Sequence, residues 1–257
     1  MKILVCIKQV PDMESKFKVS GDGVTIEETD LAFRINEYDE YAIEQAVQTK
    51  EKNEGSELVV ACLGADRASE AIKKALAMGC DRAIHIVDNE SQTKDSFQVA
   101  SLLKSAVSEE NFDLIFTGMQ SQDRGSAQVG ILLAEMLGID SVSTIVSFEL
   151  SGDEVAVKRE LEGGIKGLVK VKLPALLTCQ LGLNKPRYPT LPNIMKAKKK
   201  PVDKMEVASL AAVENVLTVK NLHPPAKKGQ ALYLEGDVND IADKLIAELK
   251  AKTAVLS

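Results

Sequence analysis

Short apolar runs alternate with amphipathic stretches through the first half of the chain. Ile3 to Ile7, Leu58 to Leu63, Ala83 to Val87 and Leu114 to Phe116 are continuous apolar segments, the pattern of strands buried on both faces. Between them apolar positions fall at helical spacing. Ala42, Ile43, Ala46 and Val47 follow Asn36, a strong N-cap residue with Glu37, Asp39 and Glu40 in the first turn. Ala71, Ile72, Ala75 and Leu76 predict a helix from about Asp66 to Met78, stopped by Gly79. Asp95 caps a helix carrying Val99, Leu102, Leu103, Ala106 and Val107. Ser126 caps one carrying Val129, Leu132, Leu133 and Met136, which Gly138 ends. Alternation at this spacing predicts an α/β fold, a mostly parallel sheet with flanking helices and right-handed crossovers.

Elsewhere the pattern differs. Phe17 and Val19, then Ser20 to Gly23, then Val24 and Ile26 read as a small hairpin. Ser141 to Leu150, Glu154 to Glu160 and Ile165 to Lys172 are extended segments split by turn residues, an antiparallel extension of one sheet edge. Ala175 to Leu181 is a further apolar run. In Gly182 to Lys200, Pro186, Pro189 and Pro192 argue against both helix and central strand. That stretch reads as exposed backbone carrying Tyr188, Leu191, Ile194 and Met195 among basic residues, either a solvated loop or an anchor for a partner pocket. Beyond Pro201 core signals are few. Pro224, Pro225 and Lys227-Lys228-Gly229 resemble a linker, and Asp237 with Asp240 opens an amphipathic helix bearing Ile241, Leu245, Ile246 and Leu249. The expected organisation is an α/β domain over residues 1–200, then a C-terminal arm over 201–257.

In a parallel sheet ligands bind beyond the carboxyl ends of the strands. Lys8-Gln9, Leu63-Gly64 and the loop Gly118 to Gly125 lie there, and the Asn36 helix start could close a fourth side. The last loop is the most polar: Gln120, Ser121, Gln122, Asp123, Ser126 and Gln128 crowd six polar side chains into a strand-to-helix connection. A helix start after such a loop suits an anion. The loop lacks G-x-G-x-x-G and a Walker lysine, and a plain connection has the same outline.

Composition narrows the function classes. A formal net charge of -6 argues against nucleic acid as partner. No apolar run approaches the ~18 residues of a membrane span. The N-terminal apolar run is too short for a signal peptide. The four cysteines (Cys6, Cys62, Cys80, Cys179) are scattered, the pattern of reduced, buried thiols in a cytoplasmic protein. His85 sits inside a strand-like run and His223 precedes two prolines, so neither forms a catalytic or metal motif.

Several segments together resemble the β-subunit family of electron transfer flavoproteins, nearly end to end. They are Val5-Cys6-Ile7-Lys8-Gln9, Asn36-Glu37-Tyr38-Asp39, the run Ala77 to Ala83, Gly118-Met119-Gln120-Ser121-x-Asp123 and Arg159 to Gly164. The most specific is Leu183 to Lys198, LNKPRYPTLPNIMKAK. The resemblance implies a Rossmann-like, adenine nucleotide alpha-hydrolase-like domain in an αβ heterodimer, an electron carrier subunit rather than a catalyst by itself. The redox-active FAD would lie mainly in the α subunit and a structural AMP in this chain. The implied nucleotide contacts are Cys6, Asn36, Glu37, Tyr38, Asp39, Leu63, Gly118, Met119, Gln120, Ser121, Gln122, Asp123, Arg124, Gly125, Ser126, Ala127, Gln128 and Val129, with Tyr38 towards the α-subunit flavin. A recognition loop of Arg187, Tyr188, Pro189, Thr190, Leu191, Pro192, Asn193, Ile194, Met195 and Lys196 would dock flavoprotein dehydrogenases, such as acyl-CoA dehydrogenases, Leu191 filling their pocket. Glu160 would pair with a basic residue of the mobile flavin domain. Electrons would pass on to a quinone-linked oxidoreductase, and the terminal helix would pack on the α subunit. The family loop G-K-Q-x-x-D-x-D is altered here, with Met119 for lysine, Arg124 beside Asp123 and Gly125 for the second aspartate. Some relatives are electron-bifurcating, NADH-oxidising flavoproteins holding a second FAD where AMP otherwise sits. That reading stays open, as does, more remotely, a stand-alone adenine-nucleotide module of the stress-protein kind.

Overall fold

The computed structural model describes residues 1–257 except 212, 227, 228, 230 and 255–257. The linker expected at Lys227 and Lys228 lies outside the described residues. The chain divides into two compact units, Met1–Leu222 and His223–Ser257.

The first unit opens with β1 (Lys2–Ile7), the short β2 (Gln9–Pro11) and β3 (Phe33–Ile35), then α1 (Glu37–Lys52), β4 (Glu57–Gly64), α2 (Ser69–Met78), β5 (Arg82–Val87) and α3 (Ser96–Val107). It continues with β6 (Leu114–Gly118), α4 (Val129–Leu137), β7 (Asp140–Ser151), β8 (Glu154–Glu160), β9 (Lys166–Lys172), β10 (Ala175–Cys179), α5 (Leu191–Ala197) and β11 (Val202–Glu206). Nine strands form one sheet in the order β11-β5-β4-β1-β6-β10-β7-β8-β9. From β11 to β7 neighbours run parallel; β8 and β9 add an antiparallel margin. The expected α/β class, mostly parallel sheet and antiparallel extension are all present.

Hydrophobicity explains the layers. Ile3, Leu4 and Val5 of β1 have no exposed surface, and all of β10 is buried. A fully buried Leu or Ile contributes roughly 1.5–3 kcal/mol, so strands apolar on both sides need helices on both sides. Helices α1 and α2 cover one face, with Ile43, Val47, Ile72 and Leu76 in its core. Helices α3 and α4 cover the other through Leu103, Val107 and Leu133. β1 is the pivot. The chain runs outward from it through β4 to β5, then crosses back to β6 on its other side. The carboxyl ends of β1 and β6 thus flank a topological switch point, where a crevice opens.

Four local expectations are corrected. The hairpin over Phe17 to Ile26 is reduced to one antiparallel bridge, Val19 to Ile26; the regular antiparallel pair is β2 with β3, whose three-residue strands are too short to show a period. Ser126 does not cap α4. That helix starts at Val129, and Ser126 Oγ instead lies 3.0 Å from Ser96 Oγ. Asn36 precedes α1, but its side chain makes no cap bond. The prolines of Gly182 to Lys200 do not exclude a helix: Pro192 sits in the first turn of α5, where its missing N–H costs nothing, and Thr190 caps the turn through Asn193 N. The apolar run Ala175 to Cys179 becomes β10, which enters the sheet between β6 and β7.

In the second unit α6 (Val238–Lys252) begins at Asp237, whose carboxylate accepts from Asn239 N and Asp240 N. Its Leu245 and Ile246 are exposed.

Candidate functional site

A cavity of about 180 Å³ opens at the switch point. One water needs only ~10–15 Å³, so a small molecule fits here. Cys6 to Gln9 form its floor from β1, Leu63 and Gly64 come from β4, and the connection Thr117 to Gly130 forms the longest wall. Asn36 and Asp39 enter from the start of α1; Val99 and Leu103 contribute an apolar side from α3.

Asp39 ties these elements together. Its Oδ2 accepts from Lys8 N at 2.7 Å, and its Oδ1 accepts from Gly118 N at 3.1 Å and Asn36 Nδ2 at 3.0 Å. One carboxyl group therefore joins the ends of β1 and β6 to the start of α1. Burial pushes this carboxyl up to about 7, against the opposing effect of those three donors. The folded chain holds the proton more tightly than the unfolded chain. The stability this confers is fully present below about pH 4 and is lost as pH rises through about 7. Between pH 4 and 8 the wild type should lose roughly 4 kcal/mol relative to Asp39→Asn, which has no such proton to release. Parallel urea melts of both proteins across that range check the sign; a stability difference independent of pH would refute it.

Asn36 does for the loop what it does not do for its own helix. Its Nδ2 donates to Gln120 O at 2.8 Å, and its Oδ1 accepts from Gln122 N at 3.0 Å. Lys8 Nζ meets Asp123 Oδ2 at 2.5 Å and Ser121 Oγ at 3.4 Å. Burial lowers the Lys8 ammonium against the pull of Asp123; burial raises Asp123, but Lys8 and Ser121 outweigh it and hold the carboxyl low. Arg124 donates to Gln92 O and Lys94 O, securing the loop's far side to the segment before α3. Both cations are thus committed to shaping the loop.

Not every residue implied by the resemblance reaches the cavity. Cys6, Asn36, Asp39, Leu63, Gly118 to Ser121, Asp123, Arg124 and Ser126 to Val129 line it. Glu37, Tyr38, Gln122 and Gly125 do not; they brace the loop from behind. Gln122 Nε2 donates to Glu37 Oε2 at 2.8 Å, Gln120 Nε2 donates to Tyr38 Oη at 3.1 Å, and Gly125 N bonds Ser121 O with φ +61°. Sequence reasoning missed a second group of lining residues: Ile26, Glu28 and Phe33 near the β2–β3 pair, Arg67 after β4, and Ser91, Gln92, Lys94, Asp95 and Ser96 at the approach to α3. Arg67 stacks on Phe33 at 4.0 Å and pairs with Glu28. The Asp95 cap, read correctly from sequence, was the available signal for the α3 side.

The site suits binding. Cys6 lines it, but burial pushes its thiol well up, so it stays protonated. All four cysteines are free and buried. His85 is buried in β5, its Nε2 3.2 Å from Gly64 O. Among the described residues no group of three or more His, Cys, Asp or Glu could hold a metal ion. The feature best suited to an anion is the start of α4. Its Gln128 cap offers no side-chain bond, so the first-turn N–H groups, at Val129 and Gly130 on the cavity wall, are left for an anion. Gly130 is required there, since a Cβ would lie 2.6 Å from Thr117 Oγ1.

The segment 182–200 lies elsewhere. Tyr188 is 90% exposed, Leu191 78% and Met195 61%; Ile194, Pro192, Asn193 and Lys196 are exposed beside them. Pro189 and Thr190 lead into α5. Arg187 points inward, onto Glu44 and Glu51 of α1. Glu160, at the end of β8, accepts from Gln180 Nε2 at 3.0 Å.

Comparison with known proteins identifies the family. A family model described as electron transfer flavoprotein domain matches residues 23–210. The chain is 36% identical to the electron transfer flavoprotein subunit beta of Bacillus subtilis, with all of both chains aligned. It is 39% identical to that of Bradyrhizobium diazoefficiens, again over the full length of both. It is 34% identical to the mouse protein, over 97% of each. The chain belongs to the electron transfer flavoprotein family, on the side of its β-subunits.

Proposed function

We propose that this chain is the AMP-holding subunit of a heterodimeric electron transfer flavoprotein, taking electrons from flavoprotein dehydrogenases such as acyl-CoA dehydrogenases and passing them to a quinone-linked oxidoreductase. Family membership supports the electron-transfer role, the α-subunit partner and a flavin in the complex. The observation that carries the nucleotide reading is the uncapped start of α4 opening into a cavity at the switch point.

The donor set fits AMP. The N–H groups at Val129 and Gly130 suit a phosphate, and the hydroxyls of Ser96, Ser121 and Ser126 are within the same wall. Val99, Leu103, Leu63 and Cys6 supply an apolar side for a base. AMP contributes no redox chemistry; it fills and braces the junction of β1, β6 and α4. The FAD held by the α subunit supplies the electron-carrying group. This chain's residues then keep water from the β1–β6 crevice and present Tyr188, Leu191 and Met195 to the donor. Among the described residues no helix is long and apolar enough to cross a membrane, which suits a carrier moving between partners.

The test is nucleotide content. The chain is co-expressed with its α subunit, the complex is denatured, and AMP and FAD are counted by chromatography. One AMP and one FAD per heterodimer are expected. Two FAD with no AMP, together with flavin reduction by NADH, would overturn this reading in favour of a bifurcating flavoprotein.

A further inference from the structure

The docking segment is attached at both ends and free in the middle. Before it, Asn184 Nδ2 donates to Tyr41 O at 3.0 Å and lies 3.4 Å from Gln45 Oε1. After it, Ala197 is buried and Lys200 Nζ donates to Leu76 O at 2.9 Å, at the end of α2. Between these ties, Tyr188 and Thr190 to Lys196 are exposed.

Arg187 stands at the boundary, immediately before Tyr188, and makes the densest set of bonds in the segment. Its backbone N donates to Glu44 Oε2 at 3.1 Å, and its Nε donates to the same oxygen at 2.8 Å. Its Nη2 reaches Glu44 Oε1 at 3.1 Å and Glu51 Oε2 at 3.0 Å, and its Nη1 reaches Glu51 Oε1 at 2.6 Å. One planar guanidinium thus forks onto two carboxylates two turns apart on α1. Glu44 is only 3% exposed, so without the Arg187 guanidinium a buried carboxylate would lose its cationic partner and keep only neutral donors such as Gln48 Nε2, at 2.8 Å. The Arg187 hydrogen bonds also hold Glu51 below the usual carboxylate range. This is more than an exposed loop needs to stay attached, and it fixes the backbone where the apolar tip begins.

We propose that Arg187 is a positioning residue: clamped by Glu44 and Glu51, it holds Tyr188 and Leu191 in one pose for the partner dehydrogenase, with α1 as the strut. This rests on the reading of residues 182–200 as the docking surface. A pre-set segment binds without the entropy loss of ordering its side chains on contact. The strut is the same helix whose first turn holds Asn36 and Asp39 in the cavity wall, so the docking pose and the nucleotide site share one rigid element.

Arg187→Lys keeps the charge and loses the fork. It is made in the αβ heterodimer and assayed with an acyl-CoA dehydrogenase that reduces the wild type. KM for the dehydrogenase should rise about tenfold while kcat and the AMP and FAD content stay unchanged. Tryptic cleavage after residue 187 and after Lys196 should accelerate. Glu51→Gln should move both readouts the same way, by less. In a Leu191→Ala background the KM effect of Arg187→Lys should largely vanish, because the clamp acts through that side chain. The proposal is overturned if Leu191→Ala raises KM but Arg187→Lys changes neither KM nor cleavage. If Leu191→Ala leaves KM unaltered, it is the docking assignment that fails, and this role falls with it even where cleavage accelerates.

Discussion

Gly118→Ala should empty the cavity of the proposed nucleotide and lower the melting temperature of the heterodimer by roughly 6–12 °C, the equivalent of about 3 kcal/mol of overpacking in a protein of this size. A methyl group on Gly118 would lie 2.2 Å from Asp39 Oδ1, 2.7 Å from Tyr38 Cβ and 3.1 Å from Asp39 N. No single rotamer change relieves all three, because one neighbour is backbone and another is the carboxyl already holding Lys8 N and Gly118 N. The end of β6 must move away from α1, and the loop that Asn36 secures moves with it. Gly21→Ala is the matched control: nothing lies within 4 Å of its added methyl, and its stability should not change. Thermal melts and nucleotide counts on both variants decide the matter. A Gly118→Ala heterodimer with wild-type nucleotide content would show that the junction of β6 and α1 is softer than its packing implies.

Leu191→Ala has the largest expected effect on electron transfer. Leu191 is 78% exposed at the start of α5, where alanine serves the helix equally well, so folding should not suffer. Filling a partner pocket with one leucine is worth roughly 1.5–3 kcal/mol, so the apparent affinity for the dehydrogenase should fall about ten- to hundredfold. Steady-state reduction of the α-subunit flavin, followed at varied dehydrogenase concentration, measures it. Unchanged transfer with lost nucleotide would mean that this side chain serves the fold rather than the partner.

The parallel core was legible because burial on both faces leaves a plain mark. The runs at Ile3, Leu58, Ala83 and Leu114 all became central strands. The meander over β7, β8 and β9 was legible from its turn glycines. Position within the sheet was not. Nothing in the composition of Ala175 to Cys179 says that it enters between β6 and β7, because strand order depends on contacts distant in sequence. Much of the cavity wall was foreseen for a physical reason, since carboxyl ends of strands must carry the polar loops. Ile26 and Phe33 were not foreseen, because they reach the cavity through the β2–β3 excursion, whose three-residue strands are too short for a readable period, nor was Arg67, which stacks on Phe33 from after β4. Ser126 misled because a serine before an apolar run signals a cap, whereas here its hydroxyl meets Ser96 across the loop. Arg187 misled in the other direction: a basic residue in an exposed stretch reads as surface charge, and its partners on α1 are far away in sequence.

The placement of β10 also sets a schedule for the chain as it is made. β6 cannot gain its second neighbour until Ala175 to Cys179 has been synthesised, after the whole meander. At ~5–20 residues per second, the ribosome takes roughly three to twelve seconds to get there from Gly118. For that interval the edge of β6, with Leu114, Ile115 and Phe116, has no strand to cover it, and an open apolar edge invites wrong pairing. β7 has no place in the sheet in the meantime, because its parallel neighbour is β10. The strand that closes β6 therefore arrives only after the whole meander, and the open edge is covered just before residues 182–200 emerge.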